Sequence, residues 1–167
     1  WMGKVELIDW KGLWTSRPAA PRIEGVNHVA FGVHDMKVTT DFYKQLGFTD
    51  QIFESKEIFD PMAPWYQVGR PLPGHHMTLW LSGEGAGIEP VRLTPLWEDC
   101  RGEWGHVGPM DFGIGVQNIK KAVATLKELG IETHSEIQVL DVGNTEFKYV
   151  YFKDPDDQYV SLVESNY

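Results

Sequence analysis

His28 and Asp111 occupy the same place in two copies of one segment, and an imidazole set against a carboxylate is raw material for acid–base chemistry. The first copy reads Val26-Asn27-His28-Val29-Ala30-Phe31-Gly32-Val33, with Asp35 and then Leu46-Gly47-Phe48 beyond it. The second reads Pro109-Met110-Asp111-Phe112-Gly113-Ile114-Gly115-Val116, with Asn118 and Leu129-Gly130-Ile131 at the same spacing. The offset, His28 to Asp111, is 83 residues throughout, with no gap. A period longer than a solenoid unit points to a duplicated module whose halves bury one shared core. Equivalent positions then face each other across a pseudo-twofold axis and can flank a ligand. Ala30, Gly32, Gly113 and Gly115, beside those positions, are small enough to leave it room.

The elements that must position these groups follow from hydrophobic period. Val29, Phe31 and Val33 alternate with His28, Ala30 and Gly32, the pattern of a half-buried strand. Asp35 can cap the helix that follows, Met36, Thr39, Phe42, Tyr43 and Leu46 form its buried stripe, and Gly47 stops it. In the second copy Asn118 caps, Ile119, Val123, Leu126 and Leu129 form the stripe, and Gly130 stops. Strand-like stretches come after each helix, near 49–56, 75–82 and 89–95 and then near 132–140, 146–153 and 158–164. Gly83–Gly87 reads as a hairpin and Asp154-Pro155-Asp156-Asp157 as the turn before the last strand. Each half is strand, helix, strand, strand, strand. The expected organisation is an N-terminal arm at 1–24, a first module at 25–96, a linker at 97–107 and a second module at 108–167. A Pro- and aromatic-rich insert near 57–74 reads as a lid or interface loop.

Composition narrows the function classes. A formal charge of −9 and a pI near 5.1 argue against nucleic acid and anionic membranes, which need clustered Lys and Arg. No apolar run approaches a bilayer span, and no charged-then-apolar signal segment opens the chain. The single cysteine, Cys100, rules out an internal disulfide framework and fits a reducing, cytoplasmic setting. No phosphate-binding glycine loop is present, because Gly83–Gly87 lacks the Lys-Ser/Thr ending. Trp65, Tyr66, Trp80, Trp97, Trp104, Tyr149, Tyr151 and Tyr159 could together form a stacking wall for a flat ligand, although each singly suits core or dimer packing. Of the consecutive pair His75-His76, alternation favours His76 facing the ligand space with Trp80. His34 and His134 read as ordinary surface or core histidines, and His106 as a loop residue just before the second module.

The segment around His28, the run Phe42-Tyr43-Lys44-Gln45-Leu46-Gly47-Phe48 and the stretch Asp154-Pro155-Asp156-Asp157-Gln158-Tyr159-Val160-Ser161-Leu162 resemble the vicinal oxygen chelate superfamily. That superfamily holds glyoxalases, methylmalonyl-CoA epimerases, extradiol dioxygenases and antibiotic-resistance binding proteins, and the resemblance spans about residues 24 to 165. It implies an α+β fold, two βαβββ modules whose eight strands form an open cup, and a homodimer. In such families four positions on the cup floor hold His or Glu and bind a divalent metal. Carried onto this chain they fall at His28, Arg92, Asp111 and Ser161. Ser161 stands where the family has an apolar-Glu-apolar triplet, and Arg92 is its counterpart within Val91-Arg92-Leu93. Arginine has no lone pair to offer a metal and carries a permanent charge. The implied site is therefore free of metal and cofactor, with a guanidinium in the ion's place. Glu164 lies three residues past the triplet's serine, on the wrong face for a floor ligand.

A cup with a base, a carboxylate and a fixed cation suits removal of a proton beside a carbonyl. Arg92, with Ser161 or a tyrosine, would hold the enolate oxygen while His28 and Asp111 act on opposite faces. The expectation is a cofactor-independent racemase or epimerase acting on an aromatic ketone. Its substrate-binding residues would be His76, Trp80, Trp65, Tyr159 and Tyr151. Among relatives of the methylmalonyl-CoA epimerases it resembles racemases of isoflavanones such as dihydrodaidzein. Three alternatives stand beside it: an Arg92–Asp111 salt bridge closing a dead metal site, a resistance protein that binds an aromatic drug without chemistry, and a metal-dependent lyase or dioxygenase in which His76 replaces a lost ligand.

Overall fold

The computed structural model describes residues 26–56, 76–83, 86–92 and 111–165. The duplication is visible at once. Strand β1 (His28–Gly32) and helix α1 (Met36–Gln45) return as β5 (Asp111–Gly115) and α2 (Ile119–Glu128), each at the 83-residue offset. Asp35 caps α1 by accepting from the Lys37 and Val38 amides, and Asn118 caps α2 by accepting from Lys121. Gly47 and Gly130 end the helices with φ of 98° and 75°, the left-handed region that favours glycine.

The remaining strands are β2 (Asp50–Ser55), β3 (His76–Leu81), β4 (Gly87–Arg92), β6 (Gln138–Val142), β7 (Thr145–Lys153) and β8 (Tyr159–Ser165). They form two open four-stranded sheets of identical order, β1-β4-β3-β2 and β5-β8-β7-β6. In each, the first strand runs parallel to its neighbour and the other pairs are antiparallel. The architecture is the α+β cup of two βαβββ modules.

One hydrophobic core spans both modules. Phe31 of the first module and Phe112 of the second stack with ring centroids 5.4 Å apart, and Tyr43 lies 6.0 Å from Phe112. Tyr43, Phe152, Val160, Ile119 and Leu126 are almost fully buried in the same cluster. Leu129, expected in the α2 stripe, is instead exposed. The helices cover the sheet faces that carry Phe31, Ile88, Val150 and Leu162, which leaves the opposite faces to the cup.

Two strands differ from their sequence-based placement. Strand β6 begins at Gln138, because residues 131–137 make only an isolated bridge, Thr133 to Phe152. Strand β4 begins at Gly87 rather than near 89 and ends at Arg92. Gly87 is a strand residue paired with His28, and not the last residue of a loop. A β-carbon there would lie 2.6 Å from Leu81 Cδ2 and 2.9 Å from the Trp80 carbonyl oxygen, so close strand approach requires glycine. The domain limits at 1–24 and 97–107, and the insert near 57–74, lie wholly or almost wholly outside the described residues.

Candidate functional site

Register decides which residues reach the cup floor. In the second module Gly113 pairs with Ser161, and in the first the equivalent Ala30 pairs with Glu89. Glu89 is therefore the counterpart of Ser161, and the placement of Arg92 on the floor is corrected. Arg92 lies three residues further on, at the exposed end of β4, paired with His76. Side chains alternate along a strand, so Arg92 shares its face with Ile88 and Pro90 in the core. Among the described residues no guanidinium takes a metal's place on the floor, and the Arg92–Asp111 salt bridge has no basis in this register.

The same parity moves His76 and Trp80. Trp80 pairs with Ile88 and packs in the helix-side core, with Lys44 of α1 4.3 Å above its ring. His76 Nε2 sits 2.7 Å from Glu54 Oε1 on that face. Neither faces the cup with His28, as the sequence reading had it. Trp65 lies outside the described residues.

The first half of the floor is a His–Glu pair. His28 Nε2 lies 3.2 Å from Glu89 Oε2, and their side chains are 10% and 14% exposed. Nδ1 of the same ring is 2.8 Å from Asn27 Oδ1. With oxygen atoms beside both ring nitrogens, the orientation of the His28 imidazole is fixed from two sides. Sequence reasoning missed Glu89 because it set the floor position of β4 three residues too far along, at Arg92. No local signal marks it, because the register depends on Gly87 pairing with His28 at the start of β1.

The second half lies on β5, β7 and β8. Ser161, only 4% exposed, contacts Asp111 Oδ2 at 3.4 Å. Tyr151 pairs with Ser161 across the ladder, and its hydroxyl also hydrogen-bonds Asp111. Burial, and then the Asp111 charge, raise the Tyr151 pKa, so this phenol stays protonated and able to donate at neutral pH. Tyr149, Tyr151 and Tyr159 share this face in an edge-to-face series, with centroids 5.9 and 6.4 Å apart. Lys153 lies 5.0 Å over Tyr159, and His134 stands 5.4 Å from it. Above Gly32 and Gly115 no atom of the described residues would lie within 4 Å of an added β-carbon, so these residues leave the floor there uncovered. Glu164 turns to the other face and accepts from the Ile119 amide at 2.7 Å, anchoring the start of α2.

The resemblance implies a divalent metal at these four positions, which register makes His28, Glu89, Asp111 and Ser161. A divalent ion of this kind takes about four donors from imidazole, thiolate or carboxylate. Among the described residues no three His, Cys, Asp or Glu side chains are grouped to hold an ion. His28 and Glu89 engage each other, Asp111 engages Tyr151 and Ser161, and Ser161 offers only a neutral hydroxyl. Among the described residues this set falls short of the donors such an ion takes.

Among the described residues no helix is long and apolar enough to cross a membrane. No curated protein matches this sequence significantly. Solved structures share its fold. A glyoxalase family protein from Enterococcus faecalis is 23% identical, with a TM-score of 0.61 over 84% of this chain and 98% of that one. Another from Bacillus cereus, 17% identical, gives 0.65 over 89% and 99%. The fosfomycin resistance protein FosX from Listeria monocytogenes, 18% identical, gives 0.55 over 86% and 94%. Residues 25–162 match the family model for these proteins, and the chain belongs to the Glyoxalase/Bleomycin resistance protein/Dioxygenase superfamily.

Proposed function

We propose that the chain is an isomerase, a racemase or epimerase that moves a proton at the carbon beside the carbonyl of an aromatic ketone. The observation that carries this reading is the presence of one acid–base group at the same floor position in each module. His28 with Glu89 stands in the first, and Asp111 with Tyr151 and Ser161 in the second. A group of this kind in each module is what acting on both faces of a planar enolate requires.

In each turnover one group accepts the proton from carbon while the other, already protonated, returns one to the opposite face. The roles exchange with direction, and the proton count is unchanged. Glu89 stabilises the charge His28 gains, and Asn27 fixes its ring. When Asp111 holds the proton its hold on the Tyr151 and Ser161 hydroxyls is released, and one of them turns its own proton to the enolate oxygen in place of Arg92, a contribution of about 3–4 kcal/mol for a preorganised donor. An isoflavanone such as dihydrodaidzein suits the site because its reacting proton is both benzylic and beside a ketone, which lowers the demand on the protein.

The test is exchange of the α-proton with solvent deuterium, followed by NMR, together with loss of optical activity. Glu89→Gln and Asp111→Asn should each slow exchange roughly a hundredfold, the usual worth of a positioned acid or base. Lack of exchange with every member of an aromatic ketone panel overturns the proposal. The tyrosine series on the second sheet favours one rival, a protein that stacks an aromatic drug without altering it. Tight titration with the ligand's stereochemistry unchanged would establish that reading instead.

A further inference from the structure

The two halves of the proposed site stand on different modules, so the angle between modules sets their separation. A compact hydrogen-bonded cluster ties the relevant strands together. His34, Thr39 and Tyr43 follow directly on β1, which carries His28, while Asp154 and Asp156 lie between β7, which carries Tyr151, and β8, which carries Ser161. The Thr39 hydroxyl donates to Asp156 Oδ2 at 2.6 Å, and the Tyr43 hydroxyl donates to Asp154 Oδ2 at 2.9 Å. The His34 amide donates to Asp156 Oδ1 at 2.7 Å, with the ring Nδ1 3.1 Å away. The turn is rigid in itself: Asp154 Oδ1 accepts from the Asp156 and Gln158 amides, both at 2.9 Å. Thr39 and Tyr43 are fully buried, and Asp154 and Asp156 are 5% and 6% exposed.

Turn formation alone does not call for these partners. The Asp154 Oδ1 bonds suffice to shape the turn, yet the second oxygen of each carboxylate is directed to a hydroxyl of α1. Apolar stacking between Phe31 and Phe112 is non-directional and tolerates sliding, whereas these bonds fix position and angle. We infer that the Asp154–Asp156 turn is a latch, and that Thr39 and Tyr43 are positioning residues that hold the His28–Glu89 half of the site at its working distance from the Asp111–Tyr151 half. The inference rests on the reading of one site shared by both modules.

Thr39→Val and Tyr43→Phe each delete one latch hydroxyl and little else, and Thr39→Ser keeps it. Backbone N–H residual dipolar couplings measure the orientation of one module relative to the other. In Thr39→Val and Tyr43→Phe the couplings within each module should still fit that module, while the relative orientation shifts. Thr39→Ser should match the wild-type protein. In the α-proton exchange assay kcat should fall roughly ten- to a hundredfold in the two deletions, as for a small misplacement of reacting groups, with KM within about twofold. An unchanged relative orientation in both overturns the latch, as does reorientation with kcat intact. If the wild-type protein exchanges no α-proton while the variants reorient, the latch stands and the proposed reaction falls.

Discussion

Asp154 offers a quantitative test of how the turn is built. Burial pushes its pKa from an ordinary 3.8 up to about 6, against the opposing effect of the Tyr43 hydroxyl and two amides. The folded state therefore binds the Asp154 proton more tightly than the unfolded chain. The charged form costs stability at neutral pH, and that cost disappears as pH falls through 6 towards 3.8. The shift of about two units corresponds to about 3 kcal/mol, with little solvent screening at 5% exposure. Asp154→Asn removes this titration and keeps the contacts, since its oxygen can accept from the two amides while the Tyr43 hydroxyl turns from donor to acceptor. Tyr43 itself does not titrate over this range, because burial and the adjacent carboxylate raise its pKa. Urea unfolding of both proteins from pH 4 to pH 7.5 gives the difference in stability at each pH. The variant should gain about 2–3 kcal/mol relative to wild type between pH 4 and pH 6.5, then level off. A difference that stays flat, or runs the other way, refutes the argument that desolvation dominates at Asp154.

Arg92→Ala should leave α-proton exchange within about twofold of wild type, because the side chain is on the far face from His28; a hundredfold loss would restore it to the floor. Gly87→Ala should destabilise the fold by about 1–3 kcal/mol, read as a lowered urea midpoint, since its β-carbon meets backbone at Trp80 as well as the Leu81 side chain. Metal analysis of the purified protein should find well under one equivalent of Zn, Ni, Fe or Mn, and chelator treatment should leave exchange undiminished. One tightly held equivalent would overturn the side-chain-only site and favour a metal-dependent lyase or dioxygenase.

Shape is shared widely at low identity in this superfamily. The chains from E. faecalis, B. cereus and L. monocytogenes overlay most of this one at 17–23% identity, and fold by itself does not imply function. Here a serine stands opposite a glutamate in the pseudo-symmetric register, an asymmetry that a duplicated metal site would not need.

Local chemistry made the repeat, both helices, their Asp35 and Asn118 caps and their Gly47 and Gly130 stops readable in one dimension, because period and capping act within a few residues. The helix-free face of His28, Ala30 and Gly32 and of Asp111 and Gly113 followed from the same alternation. Which residue of β4 meets that face did not. It depends on where Gly87 slips beneath Trp80 and Leu81 to pair with His28, a contact between strands far apart in sequence. A slip of one residue turns every side chain to the opposite face, so tertiary pairing alone put Glu89 beside His28 and sent Arg92, His76 and Trp80 to the helix side.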